Sequence, residues 1–106
     1  MLQQISGKHD VDGSGNPAGG TTTGTGISVS WQNGPLGRGA ERKAPNGAFV
    51  EDVLAAVIGR IECYQDTQFN CQENADALSL CLQALARLQD RTRNREARGV
   101  EGTHAK

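Results

Sequence analysis

Two apolar repeats in the second half of this chain constrain its fold more than any other feature. Phe49, Val50, Val53, Leu54, Val57, Ile58, Ile61 and Tyr64 follow the i, i+1, i+4, i+5 spacing that lines one stripe of a helix, which predicts a helix over 48–65. Leu78, Cys81, Leu82, Leu85 and Leu88 make a second stripe. Asn70 is placed to cap this second helix, with Glu73 reaching back to the cap's own N–H in a capping box of the Asn variety. Gly99 supplies a stop after a last turn that carries Arg95 and Arg98. The predicted length is roughly 28 residues, or about 42 Å at the helical rise. The connection around Asp66, Thr67 and Gln68 is short, so the two helices are expected to pack antiparallel, the longer overhanging the shorter.

The first half has a different character. Residues 1–26, with SGKHDVDGSGNPAGGTTTGTG at their centre, are rich in Gly, Thr, Ser and Asp and poor in apolar side chains, so they are expected to form a flexible arm. Ile27, Val29 and Trp31 alternate with polar residues as a half-buried strand requires, and Asn33-Gly34-Pro35 is a turn signal. Leu36 to Asn46 places Arg38, Arg42 and Lys43 among glycines and a proline, which predicts a basic loop. The expected organisation is a flexible arm (1–26), a short β segment with a basic loop (27–46), and a helical hairpin domain with a C-terminal tail (47–106). The expected fold class is mainly α with a small β element: an antiparallel helical hairpin. Such a hairpin buries little surface alone, so an oligomer is expected, with a weakly folded monomer as the alternative.

Several function classes are disfavoured. No apolar run approaches the roughly 18 residues that span a bilayer, and the N-terminus lacks the basic start and apolar stretch of a secretion signal, so the protein is expected inside the cell and off the membrane. Cys63, Cys71 and Cys81 are odd in number, which fits free thiols better than a disulfide framework. They have no metal-ligand spacing, His9 and His104 lie near the termini, and no nucleophile is placed against a base. GSGNPAGG resembles a phosphate loop but lacks the Gly-Lys-Ser/Thr ending. Neither an enzyme nor a bound cofactor or metal is expected.

The arginines carry the most informative chemistry. Arg87, Arg91, Arg95 and Arg98 stand at i, i+4, i+8, i+11 and share one helix face that continues the apolar stripe. A guanidinium offers a planar fork of donors to phosphate oxygens and can stack on a base, so such a ladder suits a nucleotide. The competing explanation is that these cations complement the helix C-terminus and pair with the carboxylates Glu51, Asp52, Glu62 and Asp66 of the first helix. A nucleic-acid polymer is disfavoured, because single-strand binding interleaves a basic groove with several aromatics. This chain has 4% aromatic residues and a net charge of −1. Phe69, at the bend between the helices, is either a stacking ring or a plug for the end of the pair.

The run FVEDVLAAVIGRIECYQDTQFNCQENADALSLCLQALARLQDRTRNREARGVEGTH resembles the domain shared by phage sponge proteins that inhibit the Thoeris and CBASS antiviral systems. The tail from Arg91 to His104 and the run from Phe69 to Ala75 are its most specific parts, and they resemble the Thoeris-inhibiting branch more closely. The resemblance spans roughly residues 27–106. It implies capture without cleavage of a cyclic nucleotide immune messenger in the host cytoplasm: a cyclic ADP-ribose isomer, or a cyclic di- or trinucleotide at a separate site in hexameric members. It also implies a dimer or a trimer of dimers. Carried over, Phe69 is the stacking ring, Arg91 and Arg95 the stacking and phosphate-binding pair, and Asn74 a polar contact, with Arg38, Arg42 or Lys43 contributed by the loop. Gln72 departs from the family pattern, which has an arginine after the cysteine. The other function considered is a phage interaction module that docks an acidic partner protein through its arginine face, and a less favoured third is a small nucleic-acid-binding regulator.

Overall fold

A computed structural model describes residues 2–106. Among them the elements run β1 (Ser6–Val11), β2 (Pro17–Gly24), β3 (Ile27–Asn33), a 3-10 turn (Gly39–Glu41), α1 (Val50–Gln65) and α2 (Gln72–Ala97). The chain divides into two compact units: the sheet with residues 100–106, and the helices with Gly99.

The first unit is an antiparallel three-stranded meander in the order β1-β2-β3. This overturns the expectation of a mainly α protein: the chain is α+β, and β1 and β2 occupy the segment expected to be a flexible arm. Composition misled because the Thr21-Thr22-Thr23 run, counted there as polar filler, is β-branched and favours the pleated backbone. Thr22 also gives the sheet an internal tie, its Oγ1 accepting the Trp31 indole N–H at 2.8 Å from the neighbouring strand. The turns are held by side chains. Asp12 Oδ1 accepts the backbone N–H groups of Ser14 (2.8 Å) and Asn16 (3.0 Å), which closes β1 onto β2. Those two bonds, Asn16 first, hold the Asp12 carboxyl below its ordinary pKa. Gln3 brackets the β2–β3 turn, accepting from Thr25 N at 2.7 Å and donating to Thr25 O at 2.9 Å.

The outer edge of β3 is extended by a short parallel bridge in which Gln32 N donates to Ala48 O (2.9 Å) and Ala48 N to Ser30 O (2.7 Å). The approach needs a glycine: a Cβ on Gly47 would lie 2.5 Å from the Trp31 carbonyl carbon. The predicted stop after β3 is present, with Gly34 at φ +82°.

In the second unit α1 and α2 pack on each other. Along α2 the half-buried positions include Asn74, Leu78, Cys81, Leu85, Leu88, Thr92 and Arg95 at alternating four- and three-residue steps, the spacing of a packing seam, with Ala75 and Ala77 beside its first turn. Ile58 of α1 is the buried hydrophobic residue at 7% exposure among the described residues. Gln65 fixes the connection by accepting from Cys71 N (3.2 Å) and donating to Cys71 O (3.1 Å).

The second helix starts one residue later than expected. Cys71, not Asn70, is the N-cap: its backbone is extended and its Sγ accepts the Asn74 N–H at 3.4 Å. Asn70 instead bonds the connection through Thr67 O. A thiolate-free sulfur is a weak acceptor, whereas a hydroxyl is among the preferred caps. Cys71→Ser is therefore expected to stabilise the helical unit by about 0.5–1 kcal/mol, read as a higher denaturant midpoint with an unchanged slope. A lower midpoint would show that the sulfur contributes through packing.

Candidate functional site

The residues singled out in the sequence fall in two places. Four are on the helical unit. Phe69 lies in the connection before α2 and is 71% exposed, so it does not plug the end of the helix pair. A backbone bond from its own N–H to Thr67 Oγ1 (3.1 Å) sets the local turn that presents it. Asn74 follows in the first turn of α2 and is half-buried.

Arg91 and Arg95 stand near the other end of α2, one turn apart on one face. Arg91 is exposed, and it forms no ion pair among the described residues. Arg95 is half-buried, at the last step of the packing seam. The other two rungs, Arg87 and Arg98, and Arg93 off the ladder's face have partners along α2. Arg93 pairs with Asp90, Arg87 approaches the same carboxylate at 3.9 Å, and Arg98 Nε donates to Asn94 Oδ1 at 2.8 Å. Asp90 of α2 thus answers Arg87 and Arg93, in contacts of three residues' reach.

Phe69 and the pair Arg91 and Arg95 do not meet within one chain. From the start of α2 at Gln72 to Arg91 is 19 residues, about 28 Å of helix, and to Arg95 about 35 Å. A single nucleotide does not bridge that gap. The chain therefore offers two half-sites: an exposed ring with an amide at the positive end of the helix dipole, and guanidinium groups near its negative end.

The other three residues belong to the sheet unit. Arg38, Arg42 and Lys43 lie on a loop that closes on itself, with Lys43 N donating to Leu36 O at 2.6 Å around the 3-10 turn. The tail lies against this loop. Gly37 N donates to Gly102 O (2.8 Å), Arg38 Nη1 to Glu101 O (3.0 Å), and Arg42 donates through Nη1 and Nη2 to the two carboxylate oxygens of Glu101 at 2.7 and 3.2 Å. Further along the tail, His104 Nδ1 lies 3.2 Å from Asn16 Nδ2. Arg42 is thus held by a carboxylate, while Lys43 is exposed. Sequence reasoning missed Glu101. Its signal was the conspicuous acidic residue in the otherwise basic Arg-Gly-Val-Glu-Gly-Thr-His tail, but nothing local says which cation it meets.

No cluster of three or more His, Cys, Asp or Glu side chains able to hold a metal ion occurs among the described residues, and the three cysteines are unpaired thiols. No described helix is long and apolar enough to cross a membrane.

Comparison with known proteins supports the class that the sequence resembles: the chain is a relative of the Thoeris anti-defence branch. The relative is Thoeris anti-defense 1 of Bacillus phage SBSphiJ7, with 44% identity over 79 residues, 74% of this chain and 53% of that protein. The chain spans about half the length of this relative. No protein-family model matches it.

Proposed function

We propose that this chain is an anti-defence sponge acting in the cytoplasm of an infected cell, where it holds a cyclic nucleotide messenger of the Thoeris system without cleaving it. The observation that carries this reading is the placement of an exposed stacking ring at one end of α2 and an exposed guanidinium with its i+4 neighbour at the other. Stacking suits an adenine, and the guanidinium fork suits phosphate oxygens. The relative's name supplies the defence system. A cyclic ADP-ribose isomer is the favoured ligand, since it offers one base and two phosphates within about 10 Å, the size of a compact pocket. Cyclic di- and trinucleotides, the messengers of CBASS systems, are the second ligand class. Nothing in the proposed site supplies a nucleophile and base in contact, and capture alone is enough to starve an effector.

Because the half-sites lie at opposite ends of α2, the reading requires a second copy, with Phe69 of one chain facing Arg91 and Arg95 of another. Self-association also explains an exposed apolar stripe. Val50, Val57 and Tyr64 recur at seven-residue intervals on α1 with 55%, 42% and 42% of their surface exposed, and Leu80 and Leu82 of α2 are 65% and 48% exposed. Leu82 also lines a shallow apolar groove along α2 with Ala75, Leu78 and Ala86. A dimer, or a trimer of dimers, covers these surfaces by burial of apolar area.

Two measurements test the proposal. Incubation with a panel of cyclic ADP-ribose isomers, cyclic dinucleotides and cyclic trinucleotides, followed by filtration and heat release, is expected to return one of them chemically intact. A cleaved product would mean an enzyme, and retention of none would move the function to docking of an acidic protein. For the assembly, Val57→Asp with Leu82→Asp is expected to yield monomers in sedimentation equilibrium while helix content persists. Dimers that survive both charges would place the interface elsewhere.

A further inference from the structure

The tail has no part in the capture described so far, yet both loop arginines, Arg38 and Arg42, bond its Glu101. The carboxylate grips Arg42 with two roughly parallel hydrogen bonds of 2.7 and 3.2 Å. Such bidentate, charge-assisted pairs combine strength with a fixed geometry. The carbonyl of the same residue takes Arg38 Nη1 at 3.0 Å, and the carbonyl of the next takes Gly37 N–H at 2.8 Å. Arg42 Nη1 reaches back to Gly37 O as well, at 3.2 Å.

Close backbone approach is built in on both sides. Gly37 (φ +86°) would place a Cβ 2.7 Å from Glu41 O, and Gly102 (φ +79°) would place one 2.4 Å from Gly37 O. The Glu101 side chain is only 21% exposed against 44% for Arg42, so solvent screens the pair less than a fully exposed one. A carboxylate set among cations that serve an anionic ligand weakens their field. Its presence there calls for a benefit that exceeds the repulsion, and the geometry supplies one.

We infer that Glu101 is a positioning residue, holding Arg42 and Arg38 so that the loop around Gly39–Glu41 presents Lys43 and the outer donors of Arg38 to a phosphate group. This rests on the capture reading above, and it assigns the three loop cations different tasks: Arg42 is structural, Lys43 meets the ligand, and Arg38 does both. It also accounts for the glycine that follows Glu101: Gly37 and Gly102 let the loop and tail backbones come close while the glutamate locks them.

The test uses the full chain and two readouts. In ligand-free protein, Glu101→Gln is expected to speed amide hydrogen exchange at Gly37 and Lys43 at least tenfold, with exchange along β2 and β3 unchanged. Unaltered exchange at both amides would overturn the positioning role, whatever the protein binds. In titrations with cyclic ADP-ribose, the same variant is expected to bind at least tenfold more weakly than the wild type even though it gains one unit of positive charge, and Glu101→Asp to recover part of the loss. Unchanged or tighter binding would overturn the proposal, since simple removal of a repelling carboxylate acts in that direction. Failure of the wild-type protein to bind cyclic ADP-ribose would sink the phosphate role of the loop together with the choice of messenger, while the exchange experiment still decides whether Glu101 holds the loop.

Discussion

Replacing Arg91 and Arg95 together by Ala is expected to weaken nucleotide capture by roughly a hundredfold to ten-thousandfold, leaving helix content and oligomeric state as they are. Each guanidinium that bonds a phosphate or stacks on a base contributes about 1.5–3 kcal/mol, and two such losses fall in that range when combined. Arg91 is exposed, so its removal disturbs no core. Arg95 is half-buried on the packing seam, so some stability is lost with its aliphatic stem. Direct titration of the purified variant checks the expectation against circular dichroism and sedimentation of the same sample. Full affinity in the double variant would mean that the arginines serve the helix C-terminus and that the ligand, if any, is held elsewhere.

The second large effect concerns the sheet. Gly20→Ala is expected to cost about 2–5 kcal/mol, combining about 1–3 kcal/mol of backbone strain with the unmade hydrogen bonds of β1. Gly20 sits at φ +129°, and a Cβ there would lie 2.0 Å from Lys8 O and 3.1 Å from the His9 Cα, against backbone that has no room to give. Trp31 faces Gly20 across the β2–β3 ladder, which makes indole fluorescence a direct probe during denaturation. Gly15→Ala is the control. It shares a positive φ of +81° but meets nothing within 4 Å, so its cost should stay near 1 kcal/mol. Equal effects at the two positions would mean that β1 contributes little to the unit.

These two variants also mark where the sequence was informative. Helical periodicity located α1 and α2 to within two residues at each end, because apolar spacing reports which face is covered regardless of what covers it. The same logic failed in the first 26 residues. β2 carries glycines and threonines where an amphipathic strand would carry alternating apolar groups, so no period was there to find. What orders it is pairing with neighbours on both sides, the Trp31 indole N–H on Thr22 and the Gln3 clamp on Thr25, contacts across sequence distance, together with a local turn closed by Asp12.

The site divides similarly. Local spacing alone leaves Phe69 open between a stacking ring and a plug, whereas the face shared by Arg91 and Arg95 follows from it. That Arg42 is spoken for by a carboxylate 59 positions away does not. Cys71 illustrates a third kind of miss, since cap preferences favour the neighbouring Asn70 and the chain uses a sulfur instead. The distance between the two half-sites, by contrast, needed only the length of α2, and it makes an oligomer a requirement of the proposed capture as well as a matter of stability.

That requirement is the centre of the account, and mixing two defective variants tests it most directly. Phe69→Ala lacks the ring, and Arg91→Ala with Arg95→Ala lacks the guanidinium groups, so neither is expected to capture the nucleotide alone. After the two are unfolded and refolded together, each mixed dimer should hold one complete site, with the ring from one copy and the arginines from the other. About a quarter of the wild-type binding capacity at near wild-type affinity is then expected from an equal mixture, by the combinatorics of a two-fold assembly. No recovered binding, in a mixture shown to contain mixed dimers, would contradict a site shared between copies.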